Sequence, residues 1–353
     1  MTADKVRFGI VGCGMIANFH RAGIEKSPLA ELHAVADSIP GRARAYAQEH
    51  NVPHAFEDFH EMMRLADLDA VCICTPSGLH AEPAMAAARA GKHILCEKPL
   101  DVTLEKIDAL LEAVERHGVK LGAVFQSRVQ PDSLRVKRAL REGDLGRILQ
   151  ADLRTKWYRT QEYYDSGAWR GTFALDGGGC LMNQGIHGID LYQWLVGPIR
   201  EVYGKVATMN HRIEVEDSAY AVCELDGGGR GAIIGSTCAY PGFPTRIEIH
   251  GEKGSILLED ARIVAWEIAG QERPADVVIG GGPGVGGAGD PKAISSYGHE
   301  TLVHDLAAAI REHRAPRISG AEARVPVAII LAVYQSSREG RPVEVPYREG
   351  LVV

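Results

Sequence analysis

The clearest chemical signature in this sequence lies near its N-terminus, in the pattern Gly12-x-Gly14-x-x-Ala17. The pattern follows an apolar run and opens a helix-like stretch. Gly12 permits a tight turn, Gly14 lets a ligand approach the backbone, and Ala17 allows the following helix to pack closely. The N–H groups and the dipole at such a helix start attract phosphate. We therefore predict that Gly12, Gly14, Met15 and Ile16 hold the pyrophosphate of a dinucleotide.

A carboxylate, Asp37, ends the second apolar strand of the sequence. At that position it would accept hydrogen bonds from both hydroxyls of the adenosine ribose and repel a 2′-phosphate, which favours NAD over NADP. Arg42, in a neighbouring turn, would partly offset this repulsion and is included among the cofactor residues. The alternative role for Asp37 is a helix or turn cap before Pro40-Gly41.

Helices alternate with apolar strands over the first third of the sequence. The strand runs are almost continuously apolar, which is typical of parallel strands that are buried on both faces. The predicted strands are Val6 to Val11, Leu32 to Ala36, Ala70 to Cys74, His93 to Cys96 and Lys120 to Phe125. The expected fold class is therefore α/β, with a first domain that covers residues 1–125.

The pattern changes after a predicted helix near residues 131–142. The strands become longer and alternate between apolar and polar residues, as from Ile148 to Trp157, and glycine turns such as Asp226-Gly227-Gly228-Gly229 separate them. A chain of 353 residues exceeds one ordinary domain. We therefore assign residues 126–353 to a second α/β domain with a mostly antiparallel sheet. The glycine-rich segment 280–289 lacks the Gly-Lys-Ser/Thr of a phosphate loop and is predicted to be mobile.

Composition excludes several classes of function. A formal net charge of −7 without a Lys/Arg-rich run argues against nucleic-acid binding. No apolar stretch has the length of a membrane span, and no signal segment precedes the first strand, so we expect a cytoplasmic protein without a membrane partner. The seven cysteines form no CxxC pair and are expected to be reduced core residues. No metal site is predicted.

Two further polar motifs follow strands of the first domain. Thr75-Pro76, with His80 close behind, ends one strand, and Glu97-Lys98-Pro99 ends the next. Ligands of open α/β sheets bind beyond the carboxyl ends of the strands. Thr75, Pro76, His80, Glu97 and Lys98 are therefore predicted to line the cofactor crevice.

Four motifs in order along the chain resemble those of the Gfo/Idh/MocA family of oxidoreductases. Three are those already described, and the fourth is Gly177-Gly178-Gly179-x-Leu181-x-Asn183-x-Gly185-x-His187-x-x-Asp190. The resemblance implies a Rossmann domain followed by an α/β domain with a large open sheet, which commonly forms a homodimer or homotetramer. It also implies a small-molecule substrate that is a sugar, an inositol or a related polyol.

The resemblance also implies roles for three residues. Lys98 would contact the reacting oxygen, and His187 would serve as the general acid or base. Asn183 stands where the commonest family pattern has an aspartate, and an amide can orient a hydroxyl but cannot take its proton. Because Asn183 adds no negative charge beside the imidazole, His187 is expected to stay neutral to lower pH than in an aspartate-bearing relative. The alternative role for Asn183 is a helix-start residue.

Aromatic and polar side chains concentrate just before the fourth motif. Sugars present both C–H faces and hydroxyl groups, which suits a pocket of aromatic, Arg and amide side chains. Trp169 and Arg170 match the family's Trp-Arg pair near the nicotinamide, and Gln126 is a further cofactor candidate. The substrate candidates besides Lys98, Asn183 and His187 are Arg128, Trp157, Arg159, Tyr163, Tyr164, Tyr297 and His299. Packing of the aromatic residues, and a helix-start role for His299, are the competing interpretations.

Together these features predict NAD-dependent oxidation, or the reverse reduction, of a secondary ring alcohol of a sugar, glycoside or inositol. The first substrate hypothesis, oxidation of a glycoside at C3, is implied by the resemblance to family members with similar Tyr-Tyr, Trp-Arg-Gly-Thr and Asn-Gln-Gly-Ile-His runs. One alternative is an enzyme that keeps NAD tightly bound and recycles it between two sugars. Another is a non-catalytic NAD sensor, but the presence of both Lys98 and His187 favours an enzyme.

Overall fold

The structure of the protein is a computed structural model, and it describes residues 5–281, 285–289 and 295–348. The chain divides into two compact units. The first consists of Met1–Val124 and Ser296–Arg324, and the second of Phe125–Ser295 and Val325–Val353. The first break in the chain therefore lies next to the expected boundary at residue 125, but the expected single boundary omitted the return of residues 296–324 to the first unit.

The first unit contains a six-stranded sheet in the order β3-β2-β1-β4-β5-β6, and every neighbouring pair is parallel. The four residues of strand β4 are all buried, as the continuous apolar runs predicted. This confirms the Rossmann-like parallel sheet. The elements are β1 (Val6–Val11), α1 (Ala17–Lys26), β2 (Ala30–Ala36), α2 (Arg42–His50), β3 (His54–Phe56), α3 (Phe59–Met63), β4 (Ala70–Ile73), α4 (Ala81–Arg89), β5 (His93–Cys96), α5 (Leu104–His117) and β6 (Leu121–Ala123).

The second unit contains an eight-stranded sheet in the order β13-β12-β11-β7-β10-β9-β8-β14. Neighbouring strands are antiparallel except β7 and β10, which are parallel, so the expected mostly antiparallel sheet is confirmed. The elements up to residue 268 are α6 (Pro131–Glu142), β7 (Ile148–Lys156), α7 (Gln161–Asp165), a π-helix (Cys180–Gly185), α8 (Ile186–Val196), β8 (Ile199–Ala207), β9 (Ser218–Leu225), β10 (Arg230–Ser236), β11 (Arg246–Gly251), β12 (Gly254–Glu259) and β13 (Arg262–Ile268).

The remaining elements are α9 (Tyr297–Arg311), α10 (Gly320–Glu339) and β14 (Val343–Glu344). Helix α9 packs against α1, and Gly23 of α1 explains why. A Cβ atom at Gly23 would lie 3.1 Å from Val303 Cγ2 and 3.2 Å from Glu300 Cα, so glycine allows the two helices to approach closely. This packing returns the late segment to the first unit. In the part of the chain that the structure describes, no helix is long and apolar enough to cross a membrane.

Candidate active site

The glycine pattern at the end of β1 forms a tight turn that leads into helix α1. Gly12 has φ +94°, and a Cβ atom there would lie 2.7 Å from the carbonyl oxygen of Cys74. Around a Cβ placed on Gly14, no described atom lies within 4 Å. Helix α1 begins after Ile16 without a side-chain cap, and Met15 is exposed. The uncapped helix start and the open space at Gly14 fit a bound phosphate group.

Asp37 follows β2 and is only 8% exposed. Its Oδ2 accepts a hydrogen bond from the Cys13 backbone N–H (2.8 Å), and its Oδ1 accepts one from the Ile39 backbone N–H (2.9 Å). The Arg42 Nη1 atom lies 3.6 Å from Oδ2. Asp37 thus braces the glycine turn as a capping residue would, while it places a negative charge at the strand end.

His80 links the turns that follow β4 and β5. It is buried, with Nδ1 2.6 Å from the Pro99 carbonyl oxygen and Nε2 2.7 Å from the Thr75 carbonyl oxygen. The Thr75 hydroxyl donates to the Leu79 carbonyl oxygen at 2.9 Å. The Lys98–Pro99 peptide bond is cis. The structure therefore brings the Thr75-Pro76 and Lys98-Pro99 turns together, with His80 as their connection.

Glu97 lies in a buried cluster with two histidines. Its Oε1 atom is 2.9 Å from His20 Nε2 and 3.1 Å from His299 Nε2, and its Oε2 accepts a hydrogen bond from the Lys98 backbone N–H at 3.3 Å. Burial raises the pKa of Glu97, but the hydrogen bonds from His20 and His299 outweigh burial and hold that pKa well below its usual range. Glu97 is therefore an ionised carboxylate that anchors the backbone of Lys98.

In the second unit, a buried carboxylate shapes the glycine run before the π-helix. Glu216 accepts hydrogen bonds from the backbone N–H groups of Gly179 and Leu181 (both 2.9 Å) and from the Tyr334 hydroxyl (2.8 Å). A Cβ atom on Gly178 would lie 2.1 Å from the Tyr334 hydroxyl oxygen, and one on Gly179 would lie 1.8 Å from the Glu216 carbonyl oxygen. Tyr334 and the Glu216 backbone thus lie too close to Gly178 and Gly179 for either position to hold a side chain.

The π-helix and α8 carry Asn183 and His187. Between Asp176 and Gln193, a stretch described throughout, these two are the only residues whose side chains are not buried. The Phe125 ring meets the His187 ring edge-on, with centroids 6.0 Å apart. The turn that contains Asn183 is π-helical, a local widening that often occurs at functional sites.

A directional chain of hydrogen bonds runs through Asn183. The Arg159 guanidinium donates to Gln184 Oε1 (2.9 Å), the Gln184 amide donates to Asn183 Oδ1 (3.1 Å), and the Asn183 amide donates to Asp176 Oδ1. The other oxygen of buried Asp176 accepts the Gly171 backbone N–H at 2.8 Å. Residue 183 itself carries no charge, but a carboxylate that the sequence analysis did not consider lies in contact with it.

Tyr163 joins the same chain from the side. Its hydroxyl accepts hydrogen bonds from the Gln184 amide (2.9 Å) and from Arg170 Nη1 (2.6 Å). The Arg170 guanidinium also stacks on Tyr163 and Trp169, at 4.4 and 4.5 Å from the ring centroids. Four of the predicted pocket residues therefore form one assembly with Asn183: Arg159, Tyr163, Trp169 and Arg170.

Arg159 also holds the described part of the glycine-rich segment. It donates to the carbonyl oxygens of Gly287 (2.8 Å) and Ala288 (3.0 Å). The prediction of a mobile loop concerned residues 280–289, of which 282–284 lie outside the described residues. Residues 287 and 288 are anchored to the polar chain.

Other predicted pocket residues have different surroundings. Arg128 forms a buried bidentate ion pair with Asp190, with Nε 2.7 Å from Oδ2. Trp157 is buried and donates to Thr245, and the buried Tyr164 hydroxyl lies 2.9 Å from Thr237 Oγ1. Gln126 is buried within a short 3₁₀ turn. In the first unit, Tyr297 begins α9 and is exposed, whereas His299 contacts Glu97.

A second buried cluster, of His211 and Asp217, is held by hydrogen bonds to the backbone. His211 Nδ1 lies 3.0 Å from Asp217 Oδ2, and its Nε2 lies 2.8 Å from the Arg159 carbonyl oxygen. Asp217 also accepts the backbone N–H groups of residues 209–211. Burial and the nearby Asp217 charge raise the pKa of the Cys238 thiol to about 11, so this thiol is protonated at neutral pH.

Sequence reasoning missed several residues that support the site. His20 lies one turn into α1, at Ala17-Asn18-Phe19-His20, and a histidine on the buried face of a dinucleotide-binding helix is a usable signal. Asp176 directly precedes the glycine run, and a carboxylate there could have been considered. Glu216 offered no local signal, because its partners lie 35 or more positions away.

Comparison with known proteins agrees with this geometry. Residues 6–125 match a family described as the oxidoreductase family with an NAD-binding Rossmann fold, and residues 133–257 match the GFO/IDH/MocA C-terminal domain. Among curated proteins, the chain is 33% identical over 279 residues to an inositol 2-dehydrogenase of Rhizobium meliloti (strain 1021), which covers 76% of this chain and 81% of that protein.

Solved structures show the same similarity. The WlbA dehydrogenase from Bordetella pertussis, in complex with NADH and UDP-GlcNAcA, superposes with a TM-score of 0.87 and 32% identity over 98% of this chain and 100% of that chain. A levoglucosan dehydrogenase, in complex with NADH and levoglucosan, gives a TM-score of 0.84 and 25% identity over 97% of this chain and 100% of that chain.

Proposed function

Because this chain belongs to the Gfo/Idh/MocA family of NAD-binding oxidoreductases, we propose that it oxidises a secondary ring alcohol of a sugar, glycoside or inositol, or catalyses the reverse reduction. The observation that carries this proposal is that Asn183 and His187 are partly accessible within an otherwise buried stretch. The substrate that we place first is a glycoside oxidised at C3. The similarity to a levoglucosan dehydrogenase and to inositol dehydrogenases supports a cyclic polyol.

In the proposed reaction, His187 accepts the proton of the substrate hydroxyl and Lys98 stabilises the developing alkoxide. The bound nicotinamide supplies the acceptor for the hydride from the same carbon. Glu97 supports Lys98 by holding its backbone N–H, and the Arg170–Tyr163 pair gives the second unit a polar and aromatic surface that suits a sugar ring. The products are a ketone, a reduced cofactor and one proton.

NAD is the proposed cofactor rather than NADP. The buried Asp37 carboxylate at the end of β2 would face a 2′-phosphate with a like charge, and Arg42 at 3.6 Å offsets only part of it. The solved relatives described above contain NADH, which agrees with this choice.

The proposed enzyme is a homodimer or homotetramer that associates through the sheet of the second unit. Tyr220 and Val222 on β9 are 57% and 58% exposed, and Tyr203 on β8 pairs with Val222 on the same face. Exposed apolar side chains grouped on one sheet face favour association. Light scattering of the wild type and of Val222→Lys tests this, and a monomeric wild type contradicts it.

The decisive experiment incubates the purified protein with NAD and a panel of inositols, hexoses and glycosides while the absorbance of the reduced cofactor is recorded. Lys98→Ala and His187→Ala serve as matched inactive controls, and binding of NADH, followed by fluorescence, shows that each variant is folded. The proposal is supported if the wild type reduces NAD with a polyol and the Lys98→Ala and His187→Ala variants do not. Absence of reduction with every polyol, together with normal NADH binding, contradicts it.

A further inference from the structure

The hydrogen-bond chain through Asn183 has a charged group at each end. At one end the Arg159 guanidinium has five N–H donors and no acceptor, and at the other both carboxyl oxygens of Asp176 act as acceptors, for Asn183 and for the Gly171 backbone N–H. Between them lie two side-chain amides, Gln184 and Asn183, and every hydrogen bond points from Arg159 toward Asp176. Successive bonds of one direction polarise and strengthen each other.

The two ends determine how both amides are oriented. Because Asp176 can only accept, the amino group of Asn183 faces Asp176 and its carbonyl oxygen faces the opposite way. A reversed Asn183 would turn its amino group toward the amino group of Gln184. Gln184 would then have to reverse as well and would turn its amino group toward Arg159, where both groups are donors. A single stable direction therefore remains.

We propose that Asp176 is a positioning residue that fixes the orientation of the Asn183 amide, so that Asn183 presents its oxygen as the hydrogen-bond acceptor for a polyol hydroxyl. The inference rests on the proposed function, since it concerns how the substrate is held. Asp176 is itself buried and contacts Asn183 directly. The position of Asn183 as one of two residues that are not buried in its stretch supports a contact with the substrate.

An exchange of the two side chains tests this. In Asp176→Asn, an amino group replaces one of the two acceptor oxygens, so either the Gly171 N–H or the Asn183 amino group loses its acceptor. In Asn183→Asp, two carboxylates oppose each other. The double variant Asp176→Asn/Asn183→Asp restores a donor and an acceptor for every hydrogen bond. The asparagine at position 176 accepts from the Gly171 N–H and donates to the aspartate at position 183, which also accepts from Gln184.

The measurements are KM and kcat for a polyol with NAD saturating, and the thermal midpoint of each variant. Asp176→Asn is expected to raise KM about 3- to 10-fold, the effect of one misdirected hydrogen bond, with a smaller change in kcat. The double variant is expected to return KM to within about threefold of wild type, by the logic of a double-mutant cycle. Asp132→Asn is the matched control. Asp132 also accepts a backbone N–H, from Ile263 at 2.9 Å, but it is not part of the hydrogen-bond chain through Asn183.

The outcomes separate the two proposals. An active wild type whose KM is unchanged in Asp176→Asn overturns the positioning role, even if the thermal midpoint falls, because a purely structural carboxylate affects stability alone. A double variant with a KM no better than either single variant also overturns it. A wild type that turns over no polyol overturns the proposed function and this inference with it.

Discussion

Replacement of Asp37 offers a quantitative test of the choice of cofactor. Two unit charges about 4 Å apart interact with about 1 kcal/mol in water and about 4 kcal/mol at the effective dielectric of a protein surface. Asp37 is 8% exposed, which places it toward the stronger limit, and Arg42 Nη1 at 3.6 Å offsets part of the repulsion. We expect a net discrimination against a 2′-phosphate of about 2–3 kcal/mol, or roughly 30- to 150-fold in kcat/KM.

Asp37→Ser removes this repulsion and also affects the glycine turn. The carboxylate accepts the backbone N–H groups of Cys13 and Ile39, and a serine hydroxyl can replace at most one of these contacts. A lost hydrogen bond to a charged acceptor costs about 1.5–3 kcal/mol, so kcat/KM with NAD should also fall by roughly 10-fold or more. The ratio of kcat/KM for the two cofactors therefore reports the repulsion of the 2′-phosphate together with the lost hydrogen bond to the 2′-hydroxyl, whereas damage to the glycine turn affects both cofactors alike.

The assay compares kcat/KM with NAD and with NADP for the wild type, Asp37→Ser, Asp37→Asn and Arg42→Ala. Asp37→Ser and Asp37→Asn should bring the NAD to NADP ratio of kcat/KM near unity. Asp37→Asn should lose less activity with NAD, because its side chain keeps one acceptor oxygen. Arg42→Ala should raise the preference for NAD, because the offsetting positive charge is gone. A wild type that uses NADP as fast as NAD at equal concentration would refute the reasoning.

Three further predictions concern the reaction and the second unit. Lys98→Ala and His187→Ala should each lower kcat by about 10²–10⁴-fold with little change in NADH affinity measured by fluorescence; an effect confined to KM would contradict their roles. Arg128→Ala should lower the free energy of unfolding in urea by about 3–5 kcal/mol because it leaves Asp190 buried without its ionic partner, and unchanged stability with a raised polyol KM would place Arg128 at the substrate instead. Burial raises the pKa of Asp217, but three backbone N–H groups outweigh burial and lower it from 3.8 to about 2. The stabilisation by its ionised form is thus complete above pH 4 and is lost as pH falls through 2. The stability difference between the wild type and Asp217→Asn should therefore close over that range in pH-dependent unfolding, and a constant difference would exclude this origin.

The features that the sequence predicted correctly are those encoded by neighbouring residues. Gly12 and Gly14 follow a strand and precede a helix, and that local order predicted the strand–turn–helix unit that the structure contains. Continuous apolar runs indicated parallel strands buried on both faces, and alternating runs with glycine turns indicated the antiparallel sheet. These patterns result from local backbone geometry and from burial, so they can be read without knowledge of distant partners.

The tertiary structure decided which polar groups meet. Glu97 contacts His299 from 202 positions away, and Glu216 holds the turn at Gly179 and the Tyr334 hydroxyl on α10. Asn183 was identified from its motif, but the direction of its amide depends on Asp176 and, through Gln184, on Arg159. Hydrogen-bond partners in a buried network depend on the folded path of the whole chain and on which end of each amide faces a charge. The sequence alone therefore determined which residue types stand near the site, and the fold determined how those residues are oriented.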